Sequence, residues 1–427
     1  MKKYLLIIVS ILIIQKGFSQ QFPTFDWARV ASEGYPSIPS VGTNYSSDIR
    51  LIKRDAAGNM YVSGQINKAM KFANQDIYAQ DYFGNINGYY LMKLNPTGET
   101  ILWVKTLVYG DISEFDLGND GFIYVVSQGS GGGTLKYGDA TTAGGASYPN
   151  VAGDALFYKI NANNGNMVWI KKANSPSKGG ANYPLIQTTN TAIYATDVLG
   201  PNANNSTTNR GYRLFKALKA GIDSDPDSYI NNKSWILDKT WFRANVDSKF
   251  ENFILDMKLT NDKQSLWLYL KTGDAWIDDF SGNLTDTRNM IVVRLDNLNN
   301  ATPTVGFMKK FSTIICPDQG DLEIDSQGNV LLTGSFGTSP TRYVQNLNGK
   351  AEVVFGGITY EFPMNIQKQF IAKLSPTGAE TWIKFYEPVG GQQFKSLTLD
   401  MNDNMYVCGT HVDVYGSSTI GSFTEIN

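Results

Sequence analysis

Histidine is almost missing from this chain, with His411 the single copy in 427 residues. A Ser-His-Asp or Cys-His nucleophilic centre, or a histidine-built metal site, would have to be assembled around that one imidazole. It follows a strand-like segment at residues 405–409, where it reads as a strand-end surface residue. Cysteine is nearly as scarce. Cys316 and Cys408 leave room for one bridge or, as expected, two free buried thiols, and they make no disulfide framework. With one histidine they also make no structural zinc site. Charged residues are 18% and the net charge is −2, which removes the electrostatic case for nucleic acid or an anionic membrane. Long apolar runs are missing too. The run at residues 4–14 is shorter than the ~17–25 residues of a spanning helix, so the chain is not expected to cross a membrane.

That short run has a different meaning. Lys2 and Lys3 precede it, and Gly17 and Ser19 stand three and one residues before Gln20. A basic start, an apolar centre and small residues at the cut make a secretory signal peptide. Residues 1–19 are read as the signal and residues 20–427 as one secreted domain, extracellular or at the cell surface. No cysteine follows the run to carry a lipid anchor.

Aromatic residues (12%) and glycine (41 residues) are abundant, a composition for short strands joined by tight turns. They recur in a repeat. A first unit appears as Gly58-Asn59-Met60-Tyr61-Val62-Ser63-Gly64, Gly121-Phe122-Ile123-Tyr124-Val125-Val126 and Thr191-Ala192-Ile193-Tyr194-Ala195. It returns as Leu266-Trp267-Leu268-Tyr269-Leu270, Gly328-Asn329-Val330-Leu331-Leu332-Thr333-Gly334 and Asp403-Asn404-Met405-Tyr406-Val407-Cys408-Gly409. Aligned on Tyr61, Tyr124, Tyr194, Tyr269, Leu331 and Tyr406, the steps are 63, 70, 75, 62 and 75 residues. A second unit centres on Lys93, Lys159, Lys216, Arg294 and Lys373, and a third on Trp103, Trp169 and Trp382. Gly turns between the second and third units mark hairpins. Asp55, Asp325 and Asp400 are expected at the turn before the first unit.

Each repeat therefore supplies about four short strands, which predicts an all-β fold: a β-propeller of six four-stranded blades. The segment Phe25-Asp26-Trp27-Ala28-Arg29-Val30 copies the Trp strand with no earlier strands before it. The last repeat shows its first strands, then Phe423-Thr424-Glu425-Ile426 as its second unit, and lacks a Trp strand. The N-terminal Trp27 strand is expected to complete that blade and close the ring. Seven or more blades follow if the natural chain continues past Asn427. Residues 128–153 read as a long loop or irregular hairpin, and residues 200–251 as an insert.

The pattern Asp-x-x-Gly-Asn-x-Tyr-Val-x-Gly at residues 55–64, then Phe355-Gly356, then Phe370 to Leu374, and Trp103-Val104-Lys105 with its copies resembles the SBBP-type β-propeller repeat. That resemblance covers most of the chain from Trp27 on and implies a propeller in a secreted bacterial protein, as in the Bacteroidota. Its defining residues form blades and imply no activity. The hairpin from Tyr158 to Trp169 is also similar to the repeat of pyrroloquinoline-quinone dehydrogenases, whose adjacent cysteine pair and acidic cluster have no counterpart here.

Candidate sites are few. Asp278 and Asp279 lie beside Trp276 as carboxylates could flank a sugar, with a solvated acidic turn as the alternative. Trp241, like Trp276, falls where an exposed ring could stack on a ligand. Asp223, Asp225 and Asp227 alternate as oxygen ligands for calcium do, without the Gly and distal Glu of an EF-hand. No other cofactor and no catalytic residue is expected. The sequence favours a binding or scaffold module with a protein or glycan partner, and keeps a carbohydrate-active or quinoprotein-like enzyme as the alternative.

Overall fold

The computed structural model describes residues 32–33, 50–66, 70–72, 75–77, 88–108, 110–128, 135–139, 146–148, 155–173, 184–199, 211–227, 229–238, 253–272, 289–300, 303–310, 320–336, 350–363, 368–387, 393–399, 402–410 and 424–426. Short runs rich in Val, Ile, Leu and Tyr, cut by Asp, Asn and Gly turns, give strands nearly throughout. The first are β1 (Ser32–Glu33), β2 (Leu51–Arg54), β3 (Met60–Ile66), β4 (Met70–Phe72), β5 (Gln75–Ile77), β6 (Gly88–Leu94) and β7 (Ile101–Val108). The second repeat adds β8 (Glu114–Leu117), β9 (Phe122–Gln128), β10 (Leu135–Asp139), β11 (Ala146–Tyr148), β12 (Ala155–Asn161) and β13 (Met167–Lys172). The third has β14 (Ile186–Thr188), β15 (Ala192–Leu199), β16 (Gly211–Leu218), a one-turn helix α1 (Lys219–Ser224) and β17 (Lys233–Asp238). Then come β18 (Phe253–Leu259), β19 (Leu266–Thr272), β20 (Asn289–Asp296) and β21 (Thr304–Lys310). The chain continues with β22 (Gly320–Ile324), β23 (Val330–Phe336), β24 (Lys350–Phe355), β25 (Ile358–Pro363), β26 (Lys368–Leu374) and β27 (Glu380–Glu387). It ends with β28 (Gln393–Leu399), β29 (Met405–Thr410) and β30 (Thr424–Ile426).

These strands pair as successive antiparallel meanders: β2-β3-β6-β7, β8-β9-β12-β13, β14-β15-β16-β17, β18-β19-β20-β21 and β22-β23-β26-β27. In the sixth repeat β28 and β29 pair with each other. The first strand of each meander packs on the first strand of the next, from β2 through β8, β14, β18 and β22 to β28. The apolar clusters bridge neighbours in the same order. Tyr61, Leu91 and Trp103 of the first sheet join Phe115, Ile123 and Tyr158 of the second, and Trp267 and Val292 of the fourth join Leu322 and Phe370 of the fifth. Meanders stacked face to face with their first strands along an inner line form a β-propeller.

Pairing register corrects one repeat alignment. Lys93 lies opposite Tyr61 and Lys159 opposite Tyr124, but Arg294 lies opposite Trp267 and not Tyr269. Trp267 is therefore the counterpart of Tyr61, and the steps around it become 73 and 64 residues. In four sheets a β-bulge precedes the outer aromatic, between Lys93/Leu94, Lys159/Ile160, Arg294/Leu295 and Lys373/Leu374. It bends the outer strand and turns that ring toward the next sheet.

The insertions share a logic. The residues read as an irregular hairpin include β10 and β11, which pair along the outer edge of β7 in the sheet before their own. The strand β30 does not extend the sixth repeat as expected for residues 423–426. It pairs with β27, Phe385 opposite Ile426. Both added strands cover backbone groups that an outer edge would leave unpaired. The Trp27 segment and the signal region lie outside the described residues.

Candidate functional site

The Asp, Lys and aromatic positions that define the repeat meet in one construction. Asp55 caps the β2–β3 turn, accepting from Ala57 N at 3.0 Å and from Asn59 N and Nδ2 at 2.9 Å each. The fourth turn residue is left-handed, with φ +85 at Gly58, +82 at Gly121 and +79 at Gly328, the conformation glycine adopts without strain. Burial pushes the Asp55 carboxyl up, but the bonds from Asn59 and Tyr61 and the charge of Lys93 outweigh it and hold it below the usual carboxylate value. Asp325 repeats the arrangement, with Lys373 Nζ at 2.8 Å.

From this base each sheet grips the next. Lys93 Nζ and Trp103 Nε1 donate to the Ala162 carbonyl of the second sheet at 3.2 and 3.1 Å. Lys216 Nζ reaches Leu298 O at 2.8 Å, and Arg294 Nη1 reaches Pro376 O at 2.5 Å. Between the second and third sheets the same pair finds a side chain in place of a carbonyl. Lys159 Nζ and Trp169 Nε1 bond Asp223 at 2.7 and 2.8 Å, because α1 occupies the place of the plain hairpin turn. Lys171 Nζ adds bonds to the carbonyls of Asp225 at 2.5 Å and Asp227 at 3.0 Å.

The acidic segment therefore fastens the insert of the third sheet to the second. Asn231 Nδ2 also bridges the Asp225 and Asp227 carboxylates, at 3.2 and 2.9 Å. Among the described residues no group of three or more His, Cys, Asp or Glu side chains is arranged to hold a metal ion. Asp223→Ala should lower stability by about 1–2 kcal/mol through the loss of two charge-assisted bonds. Urea unfolding, run with and without chelator, measures it, and the loss should be the same in both.

A second construction lies along the inner line and was not anticipated. Side chains two or four residues before these turns reach across to the adjoining blade. Asp116 accepts from Thr188 N and Oγ1 at 2.7 and 3.0 Å. Gln187 accepts from Leu259 N at 3.4 Å, Asp256 from Leu322 N at 2.7 Å, and Asp321 from Leu397 N and Ser396 Oγ at 2.6 and 2.8 Å. Two lysines join the line: Lys53 bonds Glu114 and Asp116 at 3.0 and 3.4 Å, and Lys258 bonds Glu323 at 2.9 Å.

These charges converge on one axis. Lys258 of the fourth sheet feels Glu114 of the second, and Glu323 of the fifth feels Lys53 of the first. Burial opposes charge on Lys258, yet Glu323, Asp256 and Asp321 raise its affinity for a proton well above the ordinary lysine value. Burial and then Asp321 push the Asp256 carboxyl well up. Burial would raise Asp321 as well, but the bond from Asp256, the charge of Lys258 and the donors from Leu397 and Ser396 bring it below the usual range. The two neighbours are thus driven apart, Asp256 toward its protonated form and Asp321 toward its charged form.

The structure does not describe Trp241, Trp276, Asp278, Asp279 or His411. The segment 273–288 joins β19 to β20, and the segment 239–252 joins β17 to β18. In an antiparallel meander the connection from second to third strand, and the one leading to the next sheet, leave from the same end. The Asp turns and the Lys clasps occupy the other end.

No family model matches the chain. An uncharacterized WD repeat-containing protein of Acanthamoeba polyphaga mimivirus is 30% identical over 99 residues, 23% of this chain and 7% of that relative. Among solved structures, a protein of unknown function from Dyadobacter fermentans is 12% identical, covering 85% of this chain and 92% of its own, with a TM-score of 0.38. The quinohemoprotein alcohol dehydrogenase of Comamonas testosteroni is 9% identical over 81% of this chain and 65% of its own, TM-score 0.33. A polysaccharide lyase is 9% identical over 96% and 85%, also at 0.33. None of the three reaches a TM-score of 0.5.

Proposed function

We propose that this chain is a secreted or cell-surface propeller of six blades, built on an SBBP-type repeat and closed by the Trp27 strand, that serves as a non-enzymatic binding or scaffold module. The observation that carries this reading is the commitment of the axial carboxylates. Asp116, Asp256 and Asp321 each hold the backbone of the next blade, and Glu114 and Glu323 each hold a lysine. Carboxylates converging on a channel would suit acid–base chemistry on a sugar. That chemistry needs its two carboxylates ~5–10 Å apart with substrate or water between them. Asp256 and Asp321 instead meet on the single N–H of Leu322, at 2.7 and 3.0 Å.

Binding is assigned to the end of the disc opposite the clasps. The hairpins β4–β5 and β24–β25 and the strands β10 and β11 all arise between second and third strands, and the segments holding Trp276, Asp278, Asp279 and Trp241 leave from that same end. A protein or glycan partner, held by aromatic stacking and polar loops, fits such a face. Residues 20–427 would be melted with soluble oligosaccharides, with pyrroloquinoline quinone, and with calcium against chelator. A saccharide at ~100 times its Kd should add about 2.7 kcal/mol, with no turnover, and W276A should remove the shift. Quinone-dependent dye reduction, or saccharide hydrolysis lost in D278N, would overturn the reading.

A further inference from the structure

We propose that the seam between the fourth and fifth blades is a proton-held latch, closed while Asp256 carries a proton and loosened when that proton leaves. The geometry is specific to this seam. Leu322 N points at Asp256 Oδ2 (2.7 Å) and Asp321 Oδ1 (3.0 Å) together, so two carboxylates converge on one hydrogen. Asp256 is 6% exposed, and its other oxygen already accepts from Met257 N at 2.7 Å. Asp321 passes the link onward to Leu397 N at 2.6 Å. Two carboxylates drawn to one hydrogen, Asp256 buried and Asp321 half-buried, repel more strongly than they would in water, and a proton on Asp256 removes that repulsion. The Asp116–Thr188 link between the second and third blades has a single carboxylate and needs no such proton.

The groups that face Asp256 define what else titrates. They are Lys258 on its own strand, Tyr269 opposite it on β19, Asp321 and Glu323 on β22, and Glu114 of β8. Lys53 of β2 acts on Glu323 and Lys258. In the unfolded chain an aspartate loses its proton near ~3.9. The folded chain keeps the Asp256 proton to higher pH, so it binds more protons in between, and the folding constant falls by up to about tenfold per pH unit as pH rises. Groups held low, such as Asp55 and Asp325, lose their contribution only toward acid. Lys53 and Lys258, both raised, lose theirs only above the ordinary lysine range. Glu323 is raised by burial and acts in the same direction as Asp256.

The test is the melting temperature of residues 20–427 between about pH 5 and 9, in an H411Q background that removes the single histidine. The latch predicts a melting temperature that falls as pH rises, a D256N variant that loses most of that slope, and an E323Q variant that keeps most of it. A wild-type protein without the slope, or a D256N variant that retains it, would overturn the proposal. Hydrogen exchange on the unmutated chain supplies a second reading if D256N does not fold. Opening at the Leu322 and Leu397 amides, corrected for intrinsic rates, should rise relative to Val125 of β9 as pH is raised from ~4 through the titration of Asp256, by up to about tenfold per pH unit. Equal behaviour of the three amides across that range would equally contradict it.

Discussion

Gly378→Ala is expected to destabilise the protein by about 3 kcal/mol, although the change adds one carbon to a turn. Gly378 closes the hairpin from β26 to β27 at φ +87, donating its N–H to Ser375 O at 2.9 Å. A side chain held left-handed costs about 1–2 kcal/mol on its own. In addition, a β-carbon there would lie 2.5 Å from Phe307 Cζ and closer still to two other ring carbons. Phe307 is the outer aromatic of the fourth sheet and packs on Trp267 with centroids 5.6 Å apart, so it has little freedom to retreat, and overpacking adds about 1–3 kcal/mol. Gly121→Ala is the control. It has the same backbone requirement, φ +82, with nothing within 4 Å of the added carbon, and should cost only the backbone share. Urea midpoints of the two variants therefore separate strain from interlock, and equal losses would mean that the aromatic clasp between sheets contributes nothing.

Lys258→Met should cost about 1–3 kcal/mol, the loss that follows when the charged partner of a half-buried carboxylate is removed. Its Nζ lies 2.9 Å from Glu323, with side-chain exposures of 17% and 22%. It also supplies the positive charge nearest Asp256 and Asp321. Without it Glu323 is left at the axis with Asp321 as its closest charged neighbour, and its carboxyl, already raised, should rise further. The penalty should accordingly shrink toward acid, where Glu323 takes up a proton, and grow above neutrality. The K258M/E323Q double variant should recover most of the loss. A double variant as unstable as the sum of two independent losses would show that the pair is not coupled.

How much of this was legible depends on where each residue finds its partner. Asp55, Gly58 and Asn59 serve a turn four residues long, so their pattern repeats locally and can be read directly. Lys93 and Trp103 bond a neighbouring carbonyl, which any sequence supplies, and they too recur. The axial residues were invisible for the opposite reason. Lys53, Asp116, Gln187, Lys258 and Glu323 occupy equivalent places but differ in type, because each answers what the adjoining blade presents: carboxylates for Lys53 and Lys258, a backbone N–H for Asp116 and Gln187, a lysine for Glu323. The misplaced repeat alignment has an equally simple origin. Trp267 and Tyr269 are two apart on one strand and so share a face, and spacing fits either until the register of Arg294 decides. The three residues of β30 carried too little pattern to name their partner, and an unpaired outer edge at β27 determined it.

The most direct test is an experimental structure of residues 20–427. Six sheets should surround one axis, with Phe25 to Val30 as the outer strand that completes the last of them, and with Asp116, Asp256 and Asp321 each bonded to the backbone of the following blade. A seventh sheet, an open array, or axial carboxylates turned away from the neighbouring strands toward an empty channel would contradict it.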